Sequence, residues 1–137
     1  FRIRANVSAT TNDLVVALNL ARSEAVKRGR DVAVVAAGGD WNDGWAVRVV
    51  SVAGDLNSRG ALEPDYSIAT RPIGGGTADQ VTFGATGALR GATGFEISVC
   101  RPSFSPGAEQ SRWITVGATG AIRSRRNTTL SPAGDCG

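Results

Sequence analysis

Few residues in this chain are equipped for chemistry. Histidine is absent, which removes the commonest general base and the commonest neutral metal ligand. Serine and aspartate are plentiful, but the one lysine, Lys27, falls at a helix end, so neither a Ser/His/Asp nor a Ser/Lys nucleophile can be assembled. Asp40, Asn42 and Asp43 ahead of Gly44 resemble the start of a calcium loop. There the glycine comes one position early, however, and Ser51 stands where a bidentate glutamate is required. The tract Gly74-Gly75-Gly76-Thr77 has neither the lysine nor the long following helix of a phosphate cradle. No catalytic centre, metal site or cofactor site is expected.

Arginine and cysteine remain. The net charge is +3, and its position says more than its size. Acidic and basic residues cancel through residue 99, whereas beyond it Arg101, Arg112, Arg123, Arg125 and Arg126 face only Glu109 and Asp135. Every cation in that basic third is an arginine, whose planar fork suits bidentate contact with phosphate or carboxylate. An ordinary solvated face is the competing reading. Cys100 and Cys136 are the only cysteines, 36 positions apart and in no zinc-like grouping. A disulfide is the economical pairing, worth about 4 kcal/mol in the chain-entropy limit and suited to an oxidising compartment. Two independent buried thiols are the alternative.

The elements that must carry these residues follow from periodicity. A chain of 137 residues with 42% apolar and 20% charged residues supports one domain with one core. Ile3, Val7, Leu14, Leu18, Ala21 and Ala25 form an apolar stripe at helical spacing. Arg22, Lys27 and Arg28 lie toward the favourable end of its dipole, and Gly29 is the expected C-cap. At its front, Ser8, Thr10, Thr11 and Asn12 leave a start near residues 8–10 competing with one before residue 1. Beyond the helix, short β-like runs are expected at 31–37, 45–52, 66–71, 80–83, 95–101, 112–116 and 121–125, with loops at 53–65 and 102–111. The first two runs make a hairpin with a long tip.

One internal echo stands out. Thr82-Phe83-Gly84-Ala85-Thr86-Gly87-Ala88-Leu89-Arg90 matches Thr115-Val116-Gly117-Ala118-Thr119-Gly120-Ala121-Ile122-Arg123 at an offset of 33. Two copies are too few for a solenoid, and the pattern is that of a strand–turn–strand module used twice. Gly87 and Gly120 are expected at positive φ in those turns.

The run Leu20-Ala21-Arg22-Ser23-Glu24-Ala25-Val26-Lys27-Arg28-Gly29, preceded by Asn12-Asp13-Leu14 and Ala17-Leu18 and followed by Trp41-Asn42-Asp43-Gly44-Trp45, resembles the GspH/FimT family. These are minor type IV pilins and minor type II secretion pseudopilins. The resemblance implies an α+β pilin fold spanning 1–137, with 1–29 as the C-terminal half of a long helix packed on antiparallel β-sheets and 30–137 as a β-rich head. It implies a membrane-spanning half-helix before Phe1, so that the chain reads as a soluble fragment and the helix continues ahead of residue 1. The implied partners are other minor and major pilins and the inner membrane, through that segment. The implied location is the inner membrane with a periplasmic head, then the pilus.

Trp41 and Trp45 are expected to pack the hairpin, with Asp43 and Gly44 completing the motif. Within the family, a cysteine pair near the C-terminus is similar to the FimT/FimU branch. FimT-like members are also associated with DNA uptake through a Gly-Arg-x-Arg motif. The matching stretch here is Gly120-Ala121-Ile122-Arg123, which has Ala121 in place of the first arginine and places Arg125 and Arg126 further on. Arg112, Arg123, Arg125 and Arg126 are thus the candidate DNA contacts, and no catalysis is implied.

Overall fold

The computed structural model describes residues 2–60, 67–100 and 112–126. Tyr66, Arg101, the expected loop at 102–111 and Cys136 lie outside them.

Helix α1 runs from Arg2 to Arg28, so the start at residues 8–10 does not occur. Thr10 and Thr11, poor interior residues by propensity, are buried on the same side as Leu14, Ala17, Leu18, Ala21 and Ala25. Packing therefore overrides the local preference there. The helix ends on Gly29 at φ +63°, with the Arg30 N–H donating to the Ala25 carbonyl at 3.2 Å. This six-to-one closure satisfies a carbonyl the helix would leave open, and the left-handed residue it needs is the glycine. Glu24 sits within 2.8 Å of the Arg28 guanidinium and 3.5 Å of the Lys27 amine.

Among the described residues, eight strands follow. They are β1 (Val32–Ala36), β2 (Trp45–Val49), β3 (Asn57–Arg59), β4 (Ser67–Ile73), β5 (Gln80–Phe83), β6 (Gly94–Cys100), β7 (Arg112–Gly117) and β8 (Ile122–Arg126). They form two four-stranded sheets, ordered β3-β2-β1-β5 and β4-β6-β7-β8, with every pairing antiparallel. Among the described residues no strand is shared between the sheets, and α1 packs on strands of both. The core lies between them. Leu14, Leu18 and Ala21 meet Val32, Val34 and Val47 of the first sheet and Phe95, Ile97, Val99, Ile114 and Val116 of the second, all buried. Register keeps the second-sheet set on one face, since Phe95 pairs with Val116 and Ile97 with Ile114.

Three differences from the sequence expectation exceed a single residue at a strand end. The expected loop at 53–65 contains β3, a polar strand that forms because its backbone pairs with β2, Trp45 opposite Arg59 and Val47 opposite Asn57. The second run stops at Val49, where Ser51 adopts φ +68° and the chain turns. The run expected at 66–71 continues through Pro72 to Ile73. Proline is tolerated there because β4 is an edge strand, whose outer N–H groups have no ladder to complete.

Candidate functional surface

The Trp41–Trp45 motif is the tip of the β1–β2 hairpin, and it joins the two sheets. A 3₁₀ turn spans Trp41–Asp43, capped by the Asp40 carboxylate, which accepts from the Asn42 N–H at 2.9 Å. Asn42 then turns its own oxygen outward to accept the Ile68 N–H of β4 at 2.8 Å. Trp41 is buried, and its Nε1–H donates to the Ala78 carbonyl at 2.7 Å. The Thr70 hydroxyl donates to that same carbonyl at 2.8 Å. Trp45 lies 6.3 Å from Trp41, centroid to centroid, with the Arg59 guanidinium over its ring at 5.3 Å. Asp13 holds Arg59 from the helix at 3.2 Å. Both tryptophans are therefore buried core and joint residues. Gly44 has φ +100°, and a Cβ built on it would overlap the Arg59 carbonyl oxygen and come within 2.7 Å of the Gly60 oxygen. Asp43 is exposed. No group of three potential metal ligands occurs among the described residues.

The echoed modules fold alike and lie side by side. In the first, the Gly84 N–H donates to the Ala88 carbonyl and the Gly87 N–H to the Gly84 carbonyl, both at 2.8 Å. In the second, Gly117 donates to Ala121 and Gly120 to Gly117, both at 2.9 Å. Each is a three-residue loop closed by a left-handed glycine, Gly87 at φ +85° and Gly120 at φ +89°. The Leu89 N–H donates to the Ala118 carbonyl at 3.1 Å, joining one module to the other. Arg22 of α1 reaches both turns. This role has a trace in the sequence: Arg22 lies four residues after Leu18 and three before Ala25, putting a charge against the buried stripe.

β8 carries the basic residues. Arg123 is exposed and pairs with Thr115, while Arg125 stands opposite Trp113 and Arg126 opposite Arg112. The row containing Arg123 continues through Thr115 to Glu96 and Arg71. Glu96 is committed to Arg71, whose Nε donates to it at 2.9 Å. The one carboxylate of that row is thus already paired, and it leaves the Arg123 end positive. Cys100 closes β6 opposite Ser67.

One N-terminal helix packed on antiparallel sheets is the type IV pilin fold, and this chain shares it with solved minor pilin structures. The chain belongs to the GspH family: the model of that family, Type II transport protein GspH, matches residues 10–120. No curated protein matches the chain in sequence. Among crystal structures, it is similar to the type IV minor pilin FimU of Pseudomonas aeruginosa, with TM-score 0.73 and 23% identity over 93% of this chain and 98% of FimU. It is also similar to the minor pseudopilin EpsH of the Vibrio cholerae type II secretion system, with TM-score 0.68 and 14% identity over 94% of this chain and 99% of EpsH. The TM-scores establish a common fold, and at identities this low the likeness is one of fold alone. Among the described residues, no helix is long and apolar enough to cross a membrane.

Proposed function

We propose that this chain is a minor type IV pilin of the FimT/FimU kind, a structural, non-catalytic subunit of pilus assembly. Family membership supports the class, and the cysteine pair carries the choice of branch: Cys100 ends a strand of the second sheet, and Cys136 stands next to the C-terminus. In this reading residues 1–137 form one pilin head, periplasmic before assembly and part of the fibre afterwards, partnered by other pilins. Deleting the gene and counting surface pili tests it. Loss of pili with type II secretion intact is the expected result, and loss of secretion with normal pili would place the chain among the pseudopilins instead.

A second reading, DNA binding during uptake, draws on one observation, the exposed Arg123 on a strand that continues into Arg125 and Arg126. Contacts of this kind hold phosphates without reading bases.

A further inference from the structure

Arg22 makes two long-range hydrogen bonds to backbone carbonyls. Its Nε donates to Gly87 at 3.1 Å, and its Nη2 donates to Thr119 at 3.3 Å. The two acceptors lie 65 and 97 residues away along the chain, one in each copy of the echoed turn. The turns approach each other backbone to backbone at Gly120 and Gly87. A Cβ on Gly120 would overlap the Gly87 oxygen and stand 2.8 Å from the Arg22 Nε, while one on Gly87 would stand 3.1 Å from the same nitrogen. Gly120 is therefore required by this meeting as well as by its own φ, and Gly87, left-handed in its own right, fits closely under Arg22. A rigid guanidinium fork can span two carbonyls at once, whereas an ammonium is a point donor on a flexible stem.

We propose that Arg22 is a positioning residue: with the paired turns it forms a latch that couples α1 to the β7–β8 hairpin and sets the orientation of the strand bearing Arg123. Among the described residues the two sheets share no strand, and the Asn42–Ile68 bond holds the second sheet at β4, its opposite edge. Releasing the latch therefore loosens β7–β8 as a local unit while β4 and the first sheet stay anchored.

Residue-resolved amide hydrogen exchange on the whole chain tests the latch. In Arg22→Met, the amides of Leu89, Gly117 and Gly120 and the β7–β8 ladder should exchange about tenfold faster, with Val34 and Val47 nearly unchanged. Arg22→Lys, which keeps the charge, should open the same amides to a similar extent. Unchanged turn amides, an equal rise at every amide, or full protection in Arg22→Lys would each overturn the proposal. Gly120→Ala breaks the turn contact from the other side, so its effect should be far less than additive with Arg22→Met, and full additivity would also overturn it. If Gly120→Ala does not fold, the Arg22→Met and Arg22→Lys exchange patterns decide alone.

Discussion

Gly44 shows how much one residue decides in this fold. Its φ of +100° and the Arg59 and Gly60 carbonyls, which occupy the space a Cβ would need, leave no room for a side chain. Gly44→Ala should therefore cost at least about 3 kcal/mol, read as a lower urea midpoint with an unchanged slope. Glu24 supports a pH prediction. The hydrogen bond from Arg28, helped by the charge of Lys27, outweighs the opposing effect of burial and holds its carboxyl below the ordinary value. A carboxylate with a lowered folded-state pKa contributes stability above its ordinary pKa, and that contribution disappears as the pH falls through the lowered one. Stability measured by urea unfolding should accordingly fall less steeply across that acid window in Glu24→Gln than in the wild type.

At the scale of elements, the β1–β2 hairpin tip and β4 form one joint, and Asn42 is its pivot. Removing the side chain in Asn42→Ala leaves the Ile68 N–H without its acceptor in a half-buried setting. That should cost about 1–2 kcal/mol by chemical denaturation, and Asn42→Asp, which retains an acceptor, should cost less. β3 illustrates a different dependence. Its residues Asn57-Ser58-Arg59 have no apolar alternation, and its existence rests on pairing with β2 and on Arg59, held between Asp13 and Trp45. Edge strands this short and polar also resist pairing with other chains.

Two predictions concern the whole molecule. If Cys100 and Cys136 are paired, mass spectrometry of denatured, unreduced protein will find no alkylatable thiol, and reduction will lower stability by at most about 4 kcal/mol. Two free thiols would remove both the pairing and the reason for preferring the FimT/FimU branch. If Arg123, Arg125 and Arg126 all contact phosphates, affinity for duplex DNA will be weak and sequence-independent. The log–log salt slope will be about −3, and the Arg123→Ala/Arg125→Ala/Arg126→Ala variant will lose it. Equal binding by both proteins, or none by the wild type at low salt, leaves the basic strand an ordinary solvated surface.

Much of this fold is legible residue by residue because its causes are local. A stripe at helical spacing, Gly29 after the last turn, short β-branched runs between glycines, and the duplicated turn with its left-handed Gly87 and Gly120 each depend on a residue and its near neighbours. The absence of histidine and the arginine-only basic third are likewise properties of composition. Tertiary structure alone decided the rest. Thr10 and Thr11 remain helical because the core covers them, against their own preference. Asn57-Ser58-Arg59 is a strand because β2 lies beside it. The two echoed turns meet, and Arg22 holds both, because packing one helix against two separate sheets brings residues 22, 87 and 119 together. Contacts across such separations are set by the closing of the whole core; the local spacing marks Arg22 as lying against the buried stripe and does not encode its partners.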